Sequence, residues 1–157
     1  YHKDLSGYKT SEVRWYFIIG LVLSLILTII LIDMSGDSFY DAFKHSSFTI
    51  ASVITTTGFA TIDYGTWSHL AIAIIFIGML IGGNAGSTAG GIKVIRHIII
   101  VKTLFSEFKR TVYPNMIVSV FVDNIKQKDR IISSTFGFLT LFLVTVGVVT
   151  IYVYARG

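Results

Sequence analysis

The chain has 157 residues, of which 53% are hydrophobic and only 14% are charged. An ordinary soluble domain has about 25% charged residues, so too few are available here to cover a soluble surface. The absence of cysteine excludes a disulfide-stapled module and a cysteine-based zinc site. The formal net charge of +4 is compatible with a nucleic-acid partner or with the charged loops of a membrane protein, and the positions of the charges decide between them.

Four long intervals carry no formal charge: residues 15–32, 45–62, 64–92 and 131–155. A helix needs about 20 apolar residues to cross a bilayer, so these intervals are long enough for spans. Residues 13–32 and 131–154 are almost purely apolar, and each is predicted to be a membrane-spanning helix. Residues 1–12 are predicted to be a cytoplasmic N-terminal segment.

The second interval differs because eight of its 18 residues carry hydroxyl groups. A segment this polar at membrane depth should be enclosed by protein or line water. Residues 38–55 are therefore predicted to be a short re-entrant helix that enters the membrane and does not cross it. The next segment, the candidate filter, overlaps its end and consists of Thr55, Thr56, Thr57, Gly58, Phe59 and Ala60.

The third interval belongs to a predicted broken span, residues 67–108. A helix from Trp67 through Ile81 is predicted to stop at a glycine-rich loop, residues 82–91, and a basic half-helix, Ile92–Phe108, follows. Five of the ten loop residues are glycine, and a continuous helix would lose about 1 kcal/mol at each relative to alanine. The residues singled out in this loop are Gly82, Gly83, Asn84, Gly86, Ser87, Thr88, Gly90 and Gly91.

Two interpretations of the glycine-rich loop stay open. Its small residues recur every four positions, which also suits close helix packing in a membrane. Paired glycines around Asn84, Ser87 and Thr88 instead suit an intramembrane loop beside a water-filled cavity. A nucleotide-binding loop is excluded because neither Gly-Lys-Ser/Thr nor Gly-x-Gly-x-x-Gly occurs.

The distribution of charge predicts the orientation of the spans. Residues 93–130 contain eight lysines or arginines, whereas residues 33–68 contain one lysine and four aspartates. Because basic loops stay in the cytoplasm, the linker 111–130 is predicted to be cytoplasmic and the segment 33–68 to lie outside. This topology accounts for the basic excess, so no nucleic-acid partner is predicted.

The order of span, re-entrant helix, glycine turn and span is typical of a cation-channel pore unit. The carboxyl end of a helix carries partial negative charge, which stabilises a nearby cation. Carbonyl oxygens of Thr56, Thr57 and Gly58 could replace the hydration shell of a potassium ion, with Phe59 wedged against the surrounding helices. A surface turn is the alternative for this segment.

Three charged residues flank these features. Lys93 and Arg96 are predicted at the inner mouth, where they could repel cations, anchor the loop or mark the lipid interface. Asp63 could concentrate cations at the outer mouth or cap a turn.

These motifs resemble the Trk/Ktr/HKT superfamily of potassium transporters, and most closely the membrane subunit of bacterial Trk or Ktr systems. The more specific motif is the string Gly-Ser-Thr-Ala-Gly-Gly-Ile-Lys at residues 86–93. The resemblance implies a pore built from four span–pore helix–span repeats in one chain. It identifies this sequence with the third repeat plus the first span of the fourth, and the chain is expected to be a fragment.

The resemblance also implies a gate formed by residues 82–91, a homodimer, and cytosolic nucleotide-binding regulatory subunits. We therefore predict an all-α, multi-pass protein of the plasma (inner) membrane that takes up potassium, with sodium or proton coupling left open. Its partners are the lipid bilayer and the remaining repeats of the same chain. No enzyme activity and no covalently bound cofactor are predicted. The alternative is a non-transporting helical membrane scaffold.

Overall fold

The computed structural model describes residues 11–113, 120–123 and 125–156. Most of the predicted N-terminal segment 1–12 and residues 114–119 and 124 of the predicted linker lie outside the described residues. The chain divides into two compact units, one ending at Ile95 and the other beginning at Arg96.

The first unit is built on three helices that contact one another: α1 (Ser11–Ser35), α2 (Phe39–Ile54) and α3 (His69–Leu80). Leucines at positions 23, 27 and 31 of α1 repeat every four residues and face one apolar core, as one face of a helix must. Ser24 and Thr28 of α1 are buried there, and their hydroxyls donate to the carbonyls four residues earlier.

The helix α2 differs from the predicted limits by one residue at each end, with Ser38 and Thr55 as its caps. Hydroxyl side chains within α2 and just after it differ in burial. Ser46, Thr49 and Ser52 are buried against the other helices, whereas the threonines after the helix are exposed.

The start of the next helix was predicted wrongly. Trp67 is not helical but follows a 3-10 turn at Tyr64–Thr66, and α3 begins at His69. The Ser68 hydroxyl accepts a hydrogen bond from the Ala71 amide at 3.3 Å. Such a cap sets the start of a helix, while the Trp67 side chain is buried in the core.

The second half of the broken span is α4 (Val94–Val112), displaced from the predicted Ile92–Phe108. It starts later because Ile92 pairs with Ile81 in a bridge. Lys109 and Arg110 lie in its last turn, where positive charge stabilises the helix by its interaction with the helix dipole.

The second unit contains the rest of α4, a short hairpin and α5 (Asp129–Arg156). The hairpin pairs β1 (Phe121–Val122) with β2 (Ile125–Lys126) in antiparallel register, a small addition to the predicted all-α class. Lys102 of α4 donates to the Phe121 carbonyl at 2.6 Å. Of the residues described in α5, Thr135 alone is buried.

By length and composition, α1 and α5 can cross a bilayer, and they are the two such helices in the described part of the chain. The helix α3 has only 12 residues, or about 18 Å at 1.5 Å per residue, against a hydrocarbon core of about 30 Å.

Candidate ion-conduction site

The candidate filter begins one residue later than the sequence suggested. Thr55 is not extended but helical, with φ −79° and ψ −4°. Its amide donates to the Ala51 carbonyl at 3.0 Å, and its hydroxyl donates to the same oxygen at 2.7 Å. These two bonds continue the hydrogen-bond pattern of α2, so the chain leaves the helix at Thr56.

Two residues of the candidate filter have left-handed backbone conformations, Thr56 with φ 56° and Gly58 with φ 80°. A Cβ added to Gly58 would meet nothing within 4 Å, so its dihedral angle alone favours glycine. A β-branched residue such as Thr56 seldom adopts this conformation. Its hydroxyl donates to the Thr55 carbonyl at 2.7 Å, a local bond that supports the strained turn.

One buried serine holds the candidate filter to the helix before it. The Ser52 carbonyl accepts from the amides of Thr57 at 2.9 Å and Gly58 at 3.4 Å. The Ser52 hydroxyl donates to the Phe59 carbonyl at 2.6 Å. Ser52 therefore fixes the backbone at both ends of the turn. Sequence analysis missed this role, although Ser52 was one of the hydroxyl residues it counted.

The side chains that follow Gly58 do not pack as expected. The ring of Phe59 is 70% exposed, so it is not wedged against the helices described here. Ala60 is also exposed. The Asp63 carboxylate accepts from the Gly65 amide at 2.9 Å, which assigns it the role of a turn cap.

The glycine-rich loop is closed at its base by backbone pairing. Ile81 and Ile92 form a parallel bridge, the Gly82 amide donates to the Ile92 carbonyl at 2.8 Å, and the Ile92 amide donates to the Leu80 carbonyl at 2.9 Å. A Cβ on Gly82 would overlap the Gly90 carbonyl oxygen. The segment is not helical, so the helix-packing interpretation is wrong and close backbone approach explains this glycine.

The far end of the loop is a turn at residues 84–87. The Asn84 carbonyl accepts from the Ser87 amide at 2.9 Å and from the Ser87 hydroxyl at 2.8 Å. Gly86 lies at its exposed tip, where an added Cβ would meet nothing.

Two charged side chains bind this loop. The Lys93 ammonium donates to the carbonyls of Ser87 at 2.8 Å and Ala89 at 2.6 Å. Of the roles left open for Lys93, the contacts favour anchoring the loop. The Glu12 carboxylate accepts from the Ala85 amide at 2.6 Å, a contact across 73 positions that sequence analysis missed.

Arg96 does not join Lys93 on the loop. Its guanidinium carbon lies 3.7 Å from the centre of the Phe138 ring of α5, within the second unit. This is a cation–π contact, and the long side chain of Arg96 is thereby committed to helix packing.

The candidate filter and the glycine-rich loop contact each other. The Gly90 amide donates to the Thr56 hydroxyl at 3.3 Å. A cavity of about 260 Å³ lies beside this contact. Its lining residues come from α1, the carboxyl end of α2 and the loop: Tyr16, Thr55, Gly83, Asn84, Ser87, Thr88 and Ala89. The structure thus brings together the two segments that the sequence singled out.

Comparison with known proteins gives the family. The model of the TrkH family, described as a cation transport protein, matches residues 39–153. An uncharacterized cation transporter of Methanocaldococcus jannaschii is 34% identical over 143 residues, which cover 90% of this chain and 29% of that protein. The Trk system potassium uptake protein TrkH of Halomonas elongata is 32% identical, over 90% of this chain and 30% of that protein.

A solved structure is also similar. The potassium transporter TrkH from Vibrio parahaemolyticus matches with a TM-score of 0.84 and 29% identity, covering 92% of this chain and 31% of that one. The chain thus spans about 30% of the length of the relatives it matches. These relatives are transporters, which confirms both the resemblance and the prediction that the chain is not an enzyme. The chain belongs to the TrkH family of cation transport proteins.

Proposed function

We propose that this chain takes part in potassium uptake across the plasma membrane and contributes one segment of the ion filter. The observation that carries the proposal is the left-handed turn at Thr56 and Gly58, placed at the carboxyl end of a 16-residue helix. At about 24 Å, that helix is too short to cross a bilayer. Its end is where the helix dipole favours a cation, and the carbonyls of Thr56, Thr57 and Gly58 are the proposed ligands.

The glycine-rich loop is the proposed gate. It contacts Thr56 through the Gly90 amide and borders the cavity beside Thr55. Because its base is paired and its tip is bound by Lys93, opening requires a limited set of hydrogen bonds to break. That is the behaviour of a two-state element rather than of a freely flexible linker.

The rest of the proposal comes from the relatives. Two of them are named as potassium uptake proteins or transporters. We propose that the remaining repeats of a longer chain complete the pore, that the protein is a multi-pass homodimer, and that cytosolic nucleotide-binding subunits regulate it.

The filter proposal is tested by Gly58→Ser in the transporter that carries this chain, expressed in potassium-starved cells without other uptake systems. A side chain at positive φ costs about 1–2 kcal/mol, which should move the neighbouring carbonyls. Rubidium stands for potassium in this assay. We expect the discrimination of rubidium uptake against competing sodium to fall about tenfold.

The matched control is Gly36→Ser. Gly36 also has positive φ, at 67°, with nothing within 4 Å of an added Cβ, but it lies between α1 and α2. Equal loss of discrimination in both variants, or none in Gly58→Ser, would overturn the filter assignment. Absence of uptake by the unmodified protein, correctly inserted in the membrane, would favour the scaffold alternative.

The gate proposal needs a separate test. Replacing residues 82–91 by a short rigid linker should raise the rubidium flux while the discrimination set by the filter is retained. Unchanged or lost flux in a folded variant would refute the gate.

A further inference from the structure

The first turn of α1 contacts the glycine-rich loop through a carboxylate. Glu12 is half-buried, and its Oε1 lies 2.6 Å from the Ala85 amide nitrogen. A hydrogen bond to an ionised carboxylate is roughly twice as strong as one between neutral groups. This bond therefore contributes more to holding the loop than an ordinary turn contact does.

A second observation shows that this face of α1 is directed at the loop. Tyr16 lies four residues after Glu12, and residues at this spacing share one face of a helix. Tyr16 lines the cavity that Thr55 and the loop residues Gly83 and Asn84 enclose. The contact of Glu12 is thus part of a longer surface between α1 and the loop.

The two charged side chains that contact the loop, those of Glu12 and Lys93, bind opposite kinds of backbone group. Glu12 takes an N–H group at Ala85, whereas Lys93 binds the carbonyls of Ser87 and Ala89. Backbone groups outside regular helices at membrane depth need partners from the protein or from the water of a cavity. Each charged side chain therefore supplies a hydrogen-bond partner to backbone groups of the loop, which lie outside the helices α3 and α4.

We propose that Glu12 is a positioning residue that latches the glycine-rich loop in its closed form and couples the cytoplasmic end of α1 to the gate. The inference rests on the proposed gate function of the loop. A movement at the start of α1 is then transmitted to the gate, while the filter is unchanged.

The test uses the full transporter with Gly86→Cys as its one cysteine, any cysteine outside this chain being replaced by serine. This chain itself has no cysteine, and Gly86 has open space around it. The rate of labelling by a membrane-impermeant thiol reagent from the cytoplasmic side measures the exposure of the loop. Rubidium uptake measures conduction through the pore. Glu12→Ala should raise the labelling rate about tenfold, the effect of losing one charged hydrogen bond. Glu12→Gln should give a smaller rise, because its amide oxygen still accepts without the charge.

A second variant removes the other partner of the bond. Ala85→Pro deletes the amide hydrogen, and Ala85 is the second residue of the turn closed between Asn84 and Ser87, a position that proline favours. The latch predicts that Ala85→Pro reproduces Glu12→Ala and that the double variant adds nothing further. The control is Asp33→Ala, which removes a carboxylate from the exposed other end of α1.

The outcomes separate the latch from the gate. Unchanged labelling in both Glu12→Ala and Ala85→Pro, or fully additive effects, overturns the latch, even where the rigid linker raises flux. Raised labelling with unchanged uptake supports the latch and refutes the gate. Raised labelling and uptake with unchanged potassium-over-sodium discrimination supports both.

Discussion

Gly58 in the candidate filter and Gly82 in the glycine-rich loop are both required to be glycine, for different physical reasons. Gly58 has positive φ with empty space where a Cβ would be. At Gly82, a Cβ would overlap the Gly90 carbonyl oxygen. A substitution at the first position strains the residue itself, whereas a substitution at the second pushes two strands of the loop apart.

The two segments are also held differently. The candidate filter depends on one residue of the preceding helix, Ser52, which bonds to three positions of the turn. The glycine-rich loop depends on its own base and on the charged groups of Lys93 and Glu12. A turn fixed to a helix end is suited to a constant ion site, and a loop closed by a few separable bonds is suited to opening.

The largest expected effect is from Gly82→Ala. Its Cβ meets backbone atoms, which cannot rotate away, and overpacking of this kind costs about 1–3 kcal/mol. The pairing of Ile81 with Ile92 should weaken, which favours the open loop. Rubidium influx should therefore rise about tenfold, the factor that corresponds to this overpacking cost. Gly86→Ala is the control because an added Cβ there meets nothing within 4 Å. Equal behaviour of the two variants would mean that the close approach at the base is not needed.

An intermediate effect is expected from Ser52→Ala. The Phe59 carbonyl loses its donor, which costs about 1 kcal/mol and loosens the turn. Potassium-over-sodium discrimination should fall about fivefold, because a loss of about 1 kcal/mol corresponds to that factor. The total flux should change little. Ser47→Ala on the same helix removes only a 3.2 Å bond to the Lys44 carbonyl and should have no effect. A change in flux without a change in discrimination would contradict the assignment of Ser52 to the filter.

The smallest effect is expected from Thr56→Val, which tests the contact between the two segments. Valine has the shape and the backbone strain of threonine but loses the hydroxyl, which accepts from the Gly90 amide and also donates to the Thr55 carbonyl. The second bond lies within the turn, so gating reports the first. One exposed neutral hydrogen bond contributes about 0.5 kcal/mol, so gating should change about twofold. Thr56→Ser retains the hydroxyl and should behave like the unmodified protein. If serine and valine behave alike, the segments are not coupled through this bond.

The amino-acid sequence by itself determined the helical segments and the two places where helices stop. Apolar intervals, hydroxyl content and clustered glycines are local properties, and they located α1, α2, α5 and the glycine-rich loop. Helix starts were less certain, because the Ser68 cap and the Ile81–Ile92 bridge moved α3 and α4 by about two residues.

The tertiary structure alone decided what holds the site together. Ser52 and Lys93 could be named from the sequence, but their roles depend on which backbone groups they reach. Glu12 acts on Ala85 across 73 positions, a distance over which no periodicity or motif is informative. Local patterns report what a segment is, whereas the partners of its polar groups are set only when the helices pack.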